Sequence, residues 1–127
     1  MKKILFLIAV AIVIVACADR NPSQVAALLD RVGGEGTSAR IDTRVDESLA
    51  ENGKDVFIIS AKKGKPYIQA STISALTTGI GWYLNHYVHV NLTWNNLTTD
   101  LSAVEFPLPT DEEKRVCNVV SRYNLNY

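Results

Sequence analysis

Two imidazoles and one thiol are the first side chains to weigh for chemistry. His86 and His89 lie three positions apart around a helix end and could offer two nitrogens to zinc. Zinc sites take three or four protein ligands, though, and no third one follows at workable spacing, Cys117 being far along the chain. No metal and no cofactor are expected. Paired carboxylates could do acid–base work on a glycoside if they faced each other across about 5 to 10 Å. The acidic residues, Asp111, Glu112 and Glu113 among them, fall mostly in loops and charged runs where solvation is the simpler expectation. Lys62, Lys63, Gly64 and Lys65 lack the spacing of a phosphate-binding loop and suit a solvated hairpin tip. No serine sits in a nucleophile elbow. The residues by themselves show no active site.

The elements that would position any such residue are organised around the stretch from Ser71 to Trp94. Ile73, Leu76, Ile80, Tyr83, Leu84 and Tyr87 recur at spacings of three and four, one apolar stripe on a helix that needs a sheet to cover. Ser71 or Thr72 can cap its start, and His86 falls in its last turn. Trp82 and His86 point away from that stripe, towards solvent or another domain. Gly79 and Gly81 each cost a helix about 1 kcal/mol relative to Ala, so close packing is expected at both. Beyond the helix, Val88, Val90 and Leu92 alternate with His89, Asn91 and Thr93, which predicts a strand ending at Trp94.

Upstream, Asn21, Pro22 and Gln24 read as N-cap, first helical residue and capping-box partner. Val25, Leu28, Leu29 and Val32 form that helix's apolar face, and Gly33 with Gly34 stops it. After a turn, Ala39, Ile41, Thr43 and Val45 face one way and Arg40, Asp42 and Arg44 the other, a strand with one wet side. The polar segment 46–54 is a loop, Val56 to Ala61 a central strand, and Pro66 to Ala70 its hairpin partner. The segment 95–109 reads as a loop with a short extended piece at 104–106, and 111–115 as a solvated charged run. The order of elements predicts an α+β fold, a small and mainly antiparallel sheet covered by helices.

The start of the chain belongs outside the fold. Lys2 and Lys3 precede an unbroken apolar run from Ile4 to Val15, the form of an export signal and too short for the roughly 20 residues that span a bilayer. Ile14, Val15, Ala16 and Cys17 resemble the bacterial lipobox, which makes Cys17 the expected lipidation site. Removing residues 1–16 takes Lys and Arg from 13 to 11 against 13 acidic residues, so the mature chain carries about −2. That balance is no nucleic-acid footprint. With Cys17 set aside, only Cys117 remains, and no intrachain disulfide can form. Asn91 and Asn96 open Asn-Leu-Thr sequons, which no glycosylation is expected to use behind a lipobox. The chain stops on the aromatic Tyr127 without turn or polar tail, so it is expected to continue as part of something longer.

Several runs resemble the start of the alpha-N-acetylglucosaminidases, glycoside hydrolase family 89. They are DVFIISAKKGKPYIQASTISALTT (55 to 78), GIGWYLNHYVHVNLTW (79 to 94), FPLP (106 to 109) and RYNLNY (122 to 127). The resemblance covers about residues 22–127. Val88 departs from it, standing where members often carry Cys, and 116–121 match more loosely. The resemblance implies the auxiliary N-terminal domain of a hexosaminidase-like glycosidase, followed by the start of a (β/α)8 barrel. The implied division is a lipoprotein signal at 1–16, a tether at 17–21, an N-terminal α/β domain at 22–110, and at 111–127 a linker with the first barrel strand. It also implies removal of terminal alpha-linked N-acetylglucosamine with retention, by two glutamates on barrel strands absent from these residues, so the chain alone should be inactive. Asn126, in the segment like the first barrel strand, takes the family's sugar-binding asparagine position. The implied partners are a glycan ending in N-acetylglucosamine, the barrel of the same chain, and a membrane through the lipid on Cys17. The setting would be the periplasm or the surface of a bacterial outer membrane. From another class comes a free-standing lipoprotein domain that binds glycans or a partner protein, and the reading frame beyond Tyr127 separates the two.

Overall fold

The computed structural model describes residues 22–93 and 98–118. Helix α1 (Ser23–Gly33) starts behind Pro22, which occupies the N-cap position itself rather than the first helical turn. The expected cap from Asn21 lies outside the described residues. Gly33 is the last helical residue, and Gly34 carries the chain out at φ 93°, its amide donating back to Asp30 O. Gly33 leaves no room for a side chain. A Cβ there would lie 2.8 Å from both Leu101 Cδ1 and Thr37 Oγ1.

The strand expected from Ala39 begins only at Asp42. Residues Thr37–Arg40 form a 3-10 turn instead. Its cause is local: Asp30 accepts from the Ser38 amide at 2.8 Å and from its hydroxyl at 2.9 Å, and the Thr37 hydroxyl donates to Gly34 O at 2.7 Å. Such side-chain bonds compete with a strand ladder. Arg40, expected on a wet face, donates to Leu101 O and Val104 O and lies 3.9 Å over the Phe106 ring.

Strands β1 (Asp42–Val45), β2 (Val56–Lys62), β3 (Lys65–Ala70) and β4 (Glu113–Val116) make one sheet in the order β1-β3-β2-β4. The sheet is mixed: β2 pairs antiparallel with both β3 and β4, as expected of a mainly antiparallel sheet, but β1 runs parallel to β3 with Thr43 opposite Ile68. The hairpin joining β2 to β3 inserts β3 between β1 and β2, and that insertion makes the outer pairing parallel. Lys63 (φ 51°) and Gly64 (φ 75°) form that hairpin's turn, both in the left-handed region that a two-residue type I′ turn requires. On β2's other edge, β4 pairs antiparallel with Phe57 opposite Arg115 and Ile59 opposite Glu113. The charged run expected in solvent thus contributes an edge strand.

Helix α2 (Ile73–His86) lies across β3, β2 and β1, capped by Thr72 Oγ1 accepting from Ala75 N at 3.1 Å. Ser71 has another task, accepting from Val56 N while donating to Asp55. The buried stripe runs through Ala75, Leu76, Gly79, Ile80, Tyr83 and Leu84. Ile73 was expected on it but is exposed, since Ala75 takes the inward place in the first turn. Tyr83 is fully buried, and its hydroxyl donates to Pro107 O at 2.7 Å, tying the FPLP segment over the helix. Burial raises the Tyr83 phenol well above its ordinary range, so it stays a donor at any physiological pH.

No strand forms over 88–92. The Val88 amide donates to Tyr83 O and the Val90 amide to Leu84 O, so both are spent closing the helix end, and His89 at φ 60° breaks an extended path. Val88 is buried, and Val90 and Leu92 pack against the same core. Alternating burial is present without a ladder. Trp94 and the sequon at Asn96 lie outside the described residues.

Candidate functional site

A cluster of polar and aromatic side chains sits where α2 meets the edge strand β4. Strand alternation puts Glu113 and Arg115 on the helix side of β4, and helical spacing puts Trp82, His86 and Tyr87 opposite them. Glu113 is the hub. Its carboxylate accepts from Trp82 Nε1 at 3.2 Å, Tyr87 OH at 2.7 Å and Arg115 Nε at 2.8 Å. The Trp82 ring packs against the His86 ring, stacked at 3.9 Å, and against the Arg115 guanidinium, 4.6 Å from the ring centre. The His86 Nδ1 lies 3.0 Å from Trp82 O.

Electrostatics follow from that geometry. Burial pushes the Glu113 carboxyl up, but the hydrogen bonds from Tyr87 and Arg115, the Arg115 charge and the Trp82 bond outweigh it and hold the group below its ordinary 4.5. The Tyr87 phenol is raised, first by its bond to Glu113 and then by burial. A carboxylate held ionised by three donors is a poor proton donor at neutral pH. The cluster fastens α2 to β4.

Glu113→Gln tests that role. A depressed folded pKa stabilises above the unfolded value and loses the contribution as pH falls through the folded one. The substitution should cost about 1 kcal/mol at pH 7, with the difference from wild type shrinking as pH falls below the ordinary carboxylate value. Tyr87 should then titrate at a lower pH, read by ultraviolet absorbance. Equal stability of the two proteins at pH 7 would contradict this account.

The other sequence candidates are not brought together. His86 and His89 are both exposed, and among the described residues no three His, Cys, Asp or Glu side chains form a metal-holding group. Cys17 and Asn126 lie outside the described residues. Sequence reasoning missed Glu113 because it sits in a charged run. The signal available was the i, i+2 pair Glu113 and Arg115, which shares one face of any strand. Beside the cluster, a groove of about 450 Å³ opens between α2 and β4, floored by Phe57 and Ala75.

The sequence pattern of the alpha-N-acetylglucosaminidase (NAGLU) N-terminal domain matches residues 23–110. The chain belongs to this family. Its fold is also that of a family 89 glycoside hydrolase from Clostridium perfringens, seen in complex with PUGNAc, at TM-score 0.64 and 22% identity over 81% of this chain and 12% of that one. A second structure, a variant from Clostridium perfringens in complex with its substrate GlcNAc-alpha-1,4-galactose, superposes at TM-score 0.59 with 20% identity over 75% of this chain and 11% of that one. The chain thus spans 12% of the length of the first of these. No curated protein sequence matches it.

Proposed function

We propose that this chain is the non-catalytic N-terminal portion of an exported alpha-N-acetylglucosaminidase that removes terminal alpha-linked N-acetylglucosamine from glycans. The observation that carries the reading is the family match over residues 23–110. The N-acetylglucosamine-bearing substrate bound by the Clostridium perfringens variant supports a glycan of the same kind as the partner here. In this reading the domain packs on a (β/α)8 barrel later in the same protein, which supplies two glutamates, one as nucleophile and one as acid and base.

Asn126 is the residue of this chain assigned to the sugar. An amide both donates to and accepts from hydroxyls, and residues at the C-terminal ends of barrel strands line the site. Asn126→Ala in the complete enzyme should lower kcat/KM by an amount worth about 0.5 to 1.5 kcal/mol. An unchanged kcat/KM would remove Asn126 from the pocket.

Export through residues 1–16 and a lipid on Cys17 complete the reading and put the enzyme at the periplasm or cell surface. Wild-type protein should label with palmitate and partition with membranes, and Cys17→Ser should do neither. Unlabelled, soluble product from both would rule out the anchor.

A further inference from the structure

A groove of about 160 Å³ opens between α1 and α2, walled by Leu28 and Val32 of α1, Thr77 and Gly81 of α2, and Leu92. Its lining is almost wholly apolar. Ile73, Thr77 and Gly81 follow one another at intervals of four, so they share one face of α2, and Ile73 on that face is 44% exposed. Helix α2 has no Asp, Glu, Lys or Arg from Ile73 to His86. A helix side that meets only water ordinarily carries charge, whereas the centre of a protein interface is depleted of it. Gly81 is an independent observation. It is exposed in the middle of the helix, where Gly costs about 1 kcal/mol relative to Ala, and a Cβ there would meet nothing within 4 Å. Close packing on Phe57 and Ile68 accounts for Gly79, but no described residue accounts for Gly81.

We propose that the face made by Ile73, Thr77 and Gly81 with Leu28 and Val32 is the surface by which this domain docks on the catalytic barrel of the same protein, an apolar barrel side chain entering the groove against the Gly81 backbone. Only Gly leaves the backbone bare enough for so close an approach. The identity of the partner rests on the glycosidase reading. This chain spans 12% of the matched Clostridium perfringens structure, so a protein built like it has far more surface to set against the domain than the domain itself offers. A separate second copy is the weaker occupant, because it would need an interface of roughly 1,200 Å² or more to stay bound. A covalently attached barrel is held at high effective concentration and needs only a local fit.

The test is hydrogen exchange, read by mass spectrometry, on the full-length protein and on residues 1–127, each as wild type and as Gly81→Lys. In wild type, the peptides covering 23–33 and 73–86 should exchange at least about tenfold more slowly in the full-length protein, while the hairpin at 62–65 exchanges alike in both. Gly81→Lys should raise the Tm of residues 1–127, since Lys is the better helix former, and in the full-length protein it should abolish the extra protection of 73–86. Equal exchange of 73–86 in the two wild-type proteins would overturn the proposal, and so would protection that survives Gly81→Lys. Sugar release by the same full-length wild type separates this surface from the glycosidase reading. Release of N-acetylglucosamine without the protection overturns the surface and leaves that reading standing, whereas protection without release supports the surface and overturns that reading.

Discussion

Leu76→Ala should destabilise the domain by about 2 to 5 kcal/mol, the range for truncating a buried leucine in a core that only partly collapses. Leu76 is fully buried on the inward stripe of α2, in the same cluster as Ile59, Ile68 and Tyr83. Removing its branch leaves a void between helix and sheet, because the central strands β2 and β3 are each held by pairing on both sides and cannot close in. For a domain of this size 1 kcal/mol shifts Tm by about 4 to 8 °C, so a drop of at least about 8 °C is expected by calorimetry. A Leu76→Ala protein melting with wild type would mean that α2 presents a different face to the sheet.

The two glycines of α2 should respond with opposite signs. A Cβ at Gly79 would lie 3.1 Å from Ile68 Cγ2 and 3.1 Å from the Phe57 ring, and both neighbours belong to the buried core. Gly79→Val therefore overpacks the contact on which α2 rests and should cost about 1 to 3 kcal/mol. A Cβ at Gly81 meets nothing within 4 Å. Gly81→Ala should instead stabilise by up to about 1 kcal/mol through helix propensity alone. Denaturant midpoints of the two variants check both, and a shift in the same direction would contradict the packing described.

That contrast marks how far the sequence could be read. Its glycines looked alike in an apolar helix, and only the approach of β3 and β2 to one of them separates a packing requirement from an open surface. Features governed by neighbours along the chain were legible: the α2 stripe at Leu76, Ile80, Tyr83 and Leu84, the stop at Gly33 and Gly34, and the turn at Lys63 and Gly64. Features set by distant partners were not. The alternation at Val88, Val90 and Leu92 comes from an extended segment lying on the core, and period two alone does not say whether its amides bond to a strand or to a helix end. Strand β4 was hidden because an edge strand with one partner needs no apolar face, so Glu113 to Arg115 looked like solvated charge. The parallel β1–β3 pairing depends on which strand inserts where, and nothing local to Asp42–Val45 encodes it. The candidate site followed the same rule, since Glu113 gains its meaning from Trp82 and Tyr87, which lie 31 and 26 positions away.

The central claim is that these residues form the non-catalytic beginning of an alpha-N-acetylglucosaminidase, and one assay addresses it. The full reading frame that begins with this chain, and residues 1–127 alone, would each be purified and given an alpha-aryl N-acetylglucosaminide, with released sugar and its anomeric configuration followed by NMR. The account predicts that the full-length protein releases N-acetylglucosamine with retained configuration and that residues 1–127 release none. No release by the full-length protein, or release by residues 1–127 alone, would contradict it.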